Sequence, residues 1–445
     1  MRMFFIVIIT KIVYHLSKMR GKQGVTLAGL IALKMDRNIL AKLSKQVKEK
    51  IIVVCGTNGK TTTNNLIALA LESADKKVIY NQTGSNMLNG IIACFILHTN
   101  IWGKLDADYA CLEIDEASLR RIMPQCQADI LVLTNLFRDQ LDRYGEIDIT
   151  MDLLKDGLSY APKCKLIVNA DDVLSMYFAK ESHHPYLTFG IKDPVMTQNV
   201  NEMREGQFCK YCNHKLTYKF YHYSQLGDYY CPNCHNKREN IDVNGEDILY
   251  QDHCEVTING TRLITNYKGF YNIYNILASC AVLVNENIAL NTFNKVLKNF
   301  RPENGRLEEF NIQGVKITLN LAKNPAGFNQ NINLCLNDPL PKDVLIVIND
   351  NAQDGIDVSW LWDVDFEGFK ADKVEHFYTS GTRYKDMQLR LKYVDIPSMA
   401  IAKYQEAFKY AIEHSTTKNL YILVNYTALY PAHVFLSKLQ NEQAR

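Results

Sequence analysis

The strongest constraint on the fold is a short polar loop that directly follows an apolar run. The run covers residues 51–55, and the loop that follows it reads Gly56-Thr57-Asn58-Gly59-Lys60-Thr61-Thr62. This order is typical of a β-strand that leads into a phosphate-binding loop and a helix, because the glycines let backbone N–H groups close around phosphate oxygens. Lys60 carries a positive charge for the terminal phosphates, and the Thr61 hydroxyl can ligate Mg²⁺. The sequence therefore predicts a site for a nucleoside triphosphate.

Composition limits the remaining possibilities. The chain has 445 residues, of which 47% are apolar, so its length allows roughly three domains with buried cores. Its 50 basic and 48 acidic residues nearly balance, which gives no general attraction to nucleic acid. Of 12 cysteines, eight are scattered singly through apolar segments, as at Cys94, Cys111 and Cys280. They are interpreted as buried thiols in a reducing, cytoplasmic compartment.

Apolar runs alternate with helical patterns after the loop. The predicted strands are 51–55, 78–80, 109–114, 130–134 and 166–169. This alternation predicts an α/β fold with a parallel sheet covered by helices, in which ligands bind at the carboxyl ends of the strands. Glu113 lies at such an end and is predicted to reach a metal ion bound by Thr61. Asp115 and Glu116 are interpreted equally well as metal ligands or as helix caps and turn residues.

Two C-x-x-C motifs interrupt the sheet pattern. They consist of Cys209, Cys212, Cys231 and Cys234, with 18 residues between the two motifs. Four thiolates at this spacing predict a structural, tetrahedral Zn²⁺ site in a small ribbon inserted at about 200–240. A chance cluster or a redox pair is the weaker alternative.

The N-terminal segment is apolar but does not fit a membrane span. Lys11 interrupts the apolar run that begins at Met3, and a span needs about 20 apolar residues. No small-residue cleavage site follows, so a signal peptide is not predicted either. Apolar residues continue at helical spacing with basic residues among them, which predicts a basic amphipathic helix. Packing on the protein's own surface is the favoured role, and contact with a membrane surface is the alternative.

A third region begins near Arg306. Its predicted strand, 344–348, leads into a loop over residues 349–360 that is rich in carboxylates. The loop's position at the end of a strand favours a functional site, although acidic loops are often only solvated turns. Chemical reasoning alone does not choose between Asp354 and Asp357 as its functional acid.

Several of these segments together resemble the central domain of Mur ligases. The matching segments are Gly56–Thr62, Thr83–Asn86, Glu113, Thr134-Asn135 with Asp139 and Asp142, Gly269–Asn272 with Asn275, and Arg306. Mur ligases use ATP to convert a carboxylate to an acyl phosphate, which an amine then attacks. By this resemblance, Lys60 binds the phosphates, and Thr61 and Glu113 bind Mg²⁺. Asn272 and Arg306 are expected to bind the nucleotide.

The sequence departs from the Mur ligase pattern at two points, which narrows the choice within the family. Only about fifty residues precede the loop, which is too few for the N-terminal domain that holds the UDP part of a typical Mur ligase substrate. Gln140 also stands where the family has a histidine, so one metal ligand of the family is missing from this position.

The whole chain resembles one subgroup, the MurT subfamily. The added motifs are the four cysteines, residues 322–327, the acidic loop through Trp360, Gly381-Thr382-Arg383 and residues 425–429. The resemblance implies amidation of the α-carboxyl of D-glutamate in the lipid II stem peptide, with ammonia supplied by a separate GatD-type glutaminase. It also implies that Asp357 orients the glutaminase histidine.

The expected architecture is an α/β, Mur-ligase-like P-loop domain at 45–305 with the inserted four-cysteine zinc ribbon. A helical segment at 1–44 precedes this domain, and a Rossmann-like α/β domain at 306–445 follows it. Three other hypotheses stay open: an amino-acid-adding ligase of the folylpolyglutamate type, a nucleotide-binding scaffold, and a nucleic-acid-binding ribbon. Acids around the cysteines, namely Glu202, Glu205 and Asp228, disfavour the last of these.

Overall fold

The computed structural model describes residues 2–20, 24–81, 85–138, 147–195, 205–250, 253–267, 269–300, 307–371 and 373–443. The chain forms two compact units. The first contains residues 1–137, 147–195 and 206–300, and the second contains 138–146, 196–205 and 301–445. Some residues named above lie outside the described residues: Thr83, Gly84, Asp139, Gln140, Asp142, Glu202 and Arg306.

The first unit is an α/β structure. Its strands are β1 (Lys50–Cys55), β2 (Val78–Tyr80), β3 (Tyr109–Glu113), β4 (Ile130–Leu133), β5 (Lys165–Asn169), β6 (Tyr186–Ile191), β7 (Thr217–Tyr223), β8 (Leu226–Tyr230), β9 (Val243–Tyr250), β10 (Cys254–Ile258) and β11 (Thr261–Thr265). Its helices are α1 (Arg2–Met19), α2 (Val25–Met35), α3 (Ile39–Ser44), α4 (Lys60–Ser73), α5 (Leu88–His98), α6 (Glu116–Ile122), α7 (Ile147–Leu158), α8 (Val173–Ser182), α9 (Tyr271–Asn285) and α10 (Phe293–Asn299).

One nine-stranded sheet organises this unit, in the order β11-β10-β9-β6-β5-β4-β1-β3-β2. The strands from β9 to β2 are parallel, and β1 lies between β4 and β3. The central strands are buried along nearly their whole length, which explains why they read as continuous apolar runs. An antiparallel hairpin of β10 and β11 closes one edge through Asn259-Gly260, both at positive φ, as a two-residue hairpin turn requires.

The predicted parallel sheet is confirmed, and its strands fall within one or two residues of their predicted limits. The cysteine-containing insertion lies between β6 and β9, which pair directly with each other. Within the insertion, β7 and β8 form a separate antiparallel pair. The sheet is therefore continuous although its chain is interrupted by about fifty residues.

The second unit is also an α/β structure. Its strands are β12 (Glu308–Ile312), β13 (Val315–Leu321), β14 (Lys342–Val347), β15 (Val374–Ser380), β16 (Met399–Ala400) and β17 (Asn419–Val424). Its helices are α11 (Pro325–Leu336), α12 (Tyr384–Tyr393), α13 (Tyr404–Glu413) and α14 (Tyr426–Gln443). The sheet order is β12-β13-β17-β14-β15-β16, and every pairing except β12 with β13 is parallel.

Apolar clusters cover both faces of this second sheet. Along β14, Leu345 and Val347 belong to the cluster that includes α13 and α14, whereas Val344 and Ile346 belong to the cluster that includes α11 and α12. This alternation follows from the two-residue period of a strand. Because both faces are covered, the loops at the carboxyl ends of the strands are the natural place for a site.

Candidate active site

The phosphate-binding loop connects β1 to α4, as predicted, and α4 begins at Lys60. Gly56 and Gly59 have φ angles of 120° and 85°. A Cβ atom on Gly56 would lie 2.3 Å from Thr134 Oγ1, and one on Gly59 would lie 2.1 Å from Asn275 Oδ1. Both positions therefore require glycine, for the backbone angle and for the close approach of neighbouring side chains.

The segment after β4 fixes the shape of this loop. The Thr134 hydroxyl donates to the Asn58 carbonyl at 2.7 Å, and the Asn58 N–H donates to Asn135 Oδ1 at 2.9 Å. The Thr57 N–H donates to the Asn135 carbonyl at 3.0 Å. Since β4 is the neighbour of β1 in the sheet, the predicted Thr134-Asn135 motif is a brace for the phosphate loop.

Lys60 is buried and forms an ion pair with Glu116. The Lys60 ammonium lies 3.1 Å from Glu116 Oε1 and also donates to the carbonyls of Gly56 and Thr57. Glu116 accepts the Gly56 N–H at 2.7 Å, so it joins the lysine to the loop backbone. Burial raises the pKa of Glu116, and the Lys60 charge opposes that shift. Glu116 is thus placed in the loop network, whereas Asp115 caps α6 by accepting the Ala117 N–H.

Glu113 and Thr61, the two predicted Mg²⁺ ligands, lie next to each other at the loop. The Thr61 hydroxyl donates to Glu113 Oε2 at 2.7 Å, and Asn86 Nδ2 donates to Glu113 Oε1 at 3.1 Å. Asn81 binds both the N–H and the carbonyl of Glu113, each at 2.9 Å. These oxygen ligands suit Mg²⁺, which prefers hard donors beside phosphates. Sequence reasoning missed Asn81, because nothing in the short β2 segment marks it as a partner of a residue 32 positions away.

Asn272 lies in the first turn of α9, within the same unit as the loop. Its Oδ1 accepts from Asn275 Nδ2 at 2.8 Å, and Asn275 Oδ1 is the atom that faces Gly59. The N-terminal part of α9 therefore meets the phosphate loop through Asn275. Asn272 is buried directly behind this contact.

The acids after β5 have structural partners. Asp171 pairs with Arg238 at 3.0 Å and accepts the Tyr274 hydroxyl at 2.8 Å. Asp172 caps α8 and accepts the Leu136 N–H at 2.8 Å. Both carboxyls are fully buried, and desolvation raises their pKa. These two acids hold neighbouring elements together.

The four predicted cysteines form one cluster. The sulfur atoms of Cys209, Cys212, Cys231 and Cys234 all lie within 4.8 Å of one another. The closest pairs are Cys209 with Cys234 at 3.5 Å and Cys212 with Cys231 at 3.4 Å, which is too long for a disulfide and near the sulfur spacing around a tetrahedral zinc ion. The residues therefore fit a structural Zn²⁺ ion.

The two halves of the cluster have matching backbone turns. The Asn213 N–H donates to the Cys209 carbonyl, and the His235 N–H donates to the Cys231 carbonyl. Asn213 and His235 both have positive φ, at 55° and 61°. Each turn brings its pair of sulfurs to the same side, so the fold presents four thiols together before any ion is considered.

The cysteine ribbon is connected to the phosphate loop through a buried glutamine that sequence reasoning missed. Gln225 lies between β7 and β8, and its Nε2 donates to the Leu136 carbonyl at 2.7 Å and to Asp172 Oδ1 at 2.9 Å. Phe137, which follows Leu136 in the chain, both donates to and accepts from the Thr57 hydroxyl, each at 2.9 Å. A continuous hydrogen-bonded path thus runs from the ribbon to the phosphate loop.

Replacing Cys234 with alanine should remove zinc and destabilise the protein. Cys234 is exposed, so the change removes little packing. We expect bound zinc, measured by elemental analysis, to be lost, and the free energy of unfolding to fall by about 2 kcal/mol or more, because structural zinc binding contributes directly to folding. Lys237→Ala, an exposed change on the same ribbon, should leave both quantities unchanged. Undiminished zinc in the cysteine variant would refute the four-thiolate site.

The acidic loop of the second unit distinguishes its two candidate aspartates. Asp354 is buried, and its carboxylate accepts the Thr427 N–H at 2.8 Å and the Thr427 hydroxyl. Asp357 is partly exposed, and within the described residues it accepts local bonds from the Ser359 N–H at 2.8 Å and the Ser359 hydroxyl at 2.9 Å. These bonds lower the pKa of Asp357, so it is charged at neutral pH, whereas burial raises that of Asp354.

Three loops meet at the carboxyl ends of β14, β15 and β17. Asn349 Oδ1 accepts the Thr382 N–H at 3.1 Å, and Asn349 exchanges two bonds with the Asn425 side chain. The segments at 381–383 and 425–427, which are far apart in the sequence, therefore support the acidic loop. Asp354 fastens that loop to Thr427, and Asp357 is left at its accessible end.

Solved structures show the same fold. A pseudomurein peptide ligase type C from Methanothermus fervidus matches with a TM-score of 0.67 and 21% identity, over 88% of this chain and 79% of that one. The MurF ligase from Thermotoga maritima in complex with ADP matches with a TM-score of 0.62 and 14% identity, over 91% of this chain and 84% of that one. At these identities the likeness concerns the fold alone.

Sequence comparisons cover nearly the whole chain. The family model of the Mur ligase middle domain matches residues 54–283, and that of the MurT ligase C-terminal region matches residues 321–429. A relative from Staphylococcus aureus strain COL, named lipid II isoglutaminyl synthase (glutamine-hydrolyzing) subunit MurT, is 34% identical over 97% of both chains. A relative of the same name from Streptococcus pneumoniae is 34% identical over 96% of this chain and 95% of its own length. The chain therefore belongs to the MurT family of Mur ligases.

Proposed function

We propose that this chain is the ATP-dependent synthetase subunit of a lipid II isoglutaminyl synthase. It amidates the α-carboxyl of D-glutamate in the stem peptide and gives D-isoglutamine. The observation that carries the proposal is the 34% identity to a subunit of this name over 97% of both chains, which includes the phosphate loop, the cysteine ribbon and the acidic loop. Within this proposal the phosphate loop binds ATP, with Lys60 at the phosphates and Asn272 and Arg306 at the nucleotide.

The first step of the reaction activates a carboxylate. A carboxylate oxygen attacks the γ-phosphorus of ATP, the bond to the β-phosphate oxygen breaks, and an acyl phosphate and ADP form. In this proposal Lys60 contacts the β- and γ-phosphates, and its charge stabilises the negative charge that develops on them. The bonds from Thr134 and Asn135 keep the loop backbone in place for this step.

Thr61 and Glu113 are the residues that would hold Mg²⁺. Their facing oxygens are 2.7 Å apart, and Asn86 and Asn81 fix the position of Glu113. When bound there, Mg²⁺ supplies further positive charge beside the transferring phosphoryl group. The second hydrogen bond of Asn81, to the Glu113 carbonyl, keeps this strand end in register with β2.

The second step forms the amide. Ammonia attacks the acyl carbon, phosphate leaves, and a proton is lost from nitrogen. Ammonia is mostly protonated at neutral pH and then cannot attack, so a partner that releases it near the acyl phosphate increases its effective concentration. We propose a GatD-type glutaminase as that partner, forming a heterodimer in which Asp357 orients its histidine. The ionised, accessible state of Asp357 supports this role.

The substrate also suggests where the reaction takes place. Lipid II is carried by a membrane. We place the protein in the cytoplasm at the inner face of the membrane. The free cysteines, most of them buried, fit a reducing compartment.

Mass spectrometry of lipid II after incubation with the chain, ATP and Mg²⁺ tests the reaction. We expect one carboxyl-to-amide conversion with ammonium and the chain alone, and the same conversion with glutamine only when a glutaminase partner is added. If neither condition gives the amide while ATP still binds, the substrate assignment is wrong. An amino acid added to the stem peptide would instead identify an amino-acid-adding ligase.

A further inference from the structure

Helix α1 has an apolar face that the described part of the protein does not cover. Five residues on it lie four, three, four and three positions apart and are between 38% and 83% exposed: Phe5, Ile9, Ile12, Leu16 and Met19. This spacing keeps one side of a helix in line over about four turns. We call these five residues the outer stripe.

The opposite side of the helix accounts for its packing. Ile6, Val7 and Thr10 are buried, and Ile6 and Val7 belong to the apolar core of the first unit. The outer stripe is therefore not needed to attach α1 to the protein. A helix on the surface of a globular protein normally presents polar residues to water on this side.

An exposed tryptophan extends the stripe at its N-terminal end. Trp102 and Ile101 are both exposed, and the Trp102 ring lies 4.9 Å from that of Phe4. Met3 packs at Gly103, where an added Cβ would approach its side chain to 2.2 Å. The turn after α5 and the start of α1 thus form one apolar surface. Tryptophan is enriched at the boundary between lipid and water.

The charged residues in the sequence of the stripe and of the segment after it are basic. Residues 1–35 contain Arg2, Lys11, Lys18, Arg20, Lys22 and Lys34, and they contain no aspartate or glutamate. Lys18 and Arg20 lie at the end of the helix next to Met19. Lys11 instead turns inward and donates to the Thr99 carbonyl at 2.5 Å. Apolar side chains bordered by cations complement an anionic lipid surface.

None of the helices within the described ranges has the length and apolar character needed to cross a bilayer. An 18-residue helix with one buried side and one exposed apolar side is suited to lie in the plane of the membrane surface. We propose that α1, with Trp102, is an interfacial anchor that inserts its outer stripe into a bilayer containing anionic phospholipid. The inference deepens the proposed function and rests on it, because it brings the ATP site to the surface that carries lipid II.

Co-sedimentation of the full-length chain with vesicles tests the anchor without any substrate. We expect binding to vesicles that contain phosphatidylglycerol and much weaker binding to phosphatidylcholine alone. The triple variant Phe5→Gln, Ile12→Gln, Leu16→Gln should lower the vesicle affinity by about tenfold or more, since three apolar side chains no longer enter the interface. Lys18→Glu with Arg20→Glu should abolish the preference for anionic vesicles.

Matched controls separate the anchor from folding. Leu249→Gln, Leu340→Gln and Leu389→Gln together also replace three exposed apolar side chains, none of them on α1, and should leave vesicle binding unchanged. All variants should keep the wild-type melting temperature and ATP binding. Equal vesicle binding by the wild type and the α1 triple variant would overturn the proposal. The proposal would also be overturned if the wild type formed a dimer and did not bind vesicles, and the triple variant were a monomer. A second copy of the chain would then cover the stripe.

An activity comparison distinguishes failure of the anchor from failure of the proposed function. The triple variant should amidate lipid II in phosphatidylglycerol vesicles more slowly, yet match the wild type on a water-soluble analogue with a short prenyl chain. Equal loss on both substrates would overturn the anchor. Vesicle binding without amidation of either substrate would leave the anchor standing and refute the enzyme assignment.

Discussion

Replacing Lys60 with methionine is expected to lower the rate of lipid II amidation by about 100-fold or more, because the proposed mechanism relies on the Lys60 charge to stabilise the transferring phosphoryl group. The rate should be measured with ammonium as the nitrogen source, so that the result depends on the synthetase reaction alone. Exposed Lys77→Ala is the matched control and should have no effect on the rate.

The same change is expected to weaken the fold, and a second substitution separates the two effects. Lys60 and Glu116 form a buried pair, so removing the lysine alone leaves an unpaired buried carboxyl and costs about 3 kcal/mol. The double variant Lys60→Met, Glu116→Gln should recover most of that stability, because no charge is left to bury. It should not recover activity. If stability and rate returned together, Lys60 would have a structural role only.

Replacing Asp357 with asparagine is expected to abolish the use of glutamine while sparing the use of ammonium. With the glutaminase partner present, glutamine-dependent amidation should fall by about 100-fold or more, as expected when a histidine loses the carboxylate that orients it. Amidation from ammonium should stay at the wild-type rate, since the phosphate loop is unchanged. Rates from the two nitrogen sources, measured on one preparation, provide the comparison.

Asp354→Asn is the control that the structure offers for this prediction. Asp354 is held by Thr427, so its replacement should lower the melting temperature. It should also lower the rates of amidation from glutamine and from ammonium to the same extent. An Asp357 variant that lost both activities equally would show that Asp357 supports the fold. A normal glutamine-dependent rate would remove it from the glutaminase reaction.

The parts of the site that follow directly from local sequence were predictable. The strand, the glycines and Lys60 occur within about a dozen residues, so their arrangement is fixed by one strand–loop–helix unit. The cysteine cluster was predictable for the same reason, because two short motifs carry its ligands. The strand Val78–Tyr80 was placed at its observed limits although it is only three residues long.

Long-range pairings could not be predicted in this way. Glu116 meets Lys60 across 56 positions, and Gln225 meets Leu136 across 89. Each pairing depends on which strands become neighbours. From side-chain chemistry alone, Glu116 could be either a metal ligand or a helix cap. The difference between Asp354 and Asp357 could not be predicted for the same reason. Only the fold shows that Thr427 donates hydrogen bonds to Asp354.

The ribbon between β6 and β9 links the supply of zinc to the amidation of peptidoglycan. The strands on either side of it pair directly, so the sheet does not need the ribbon for its own continuity. Gln225 nevertheless fastens the ribbon to the segment that braces Thr57. If zinc holds the ribbon as proposed, a cell starved of zinc would retain the sheet but loosen the phosphate loop. Peptidoglycan from such cells should then carry more unamidated D-glutamate.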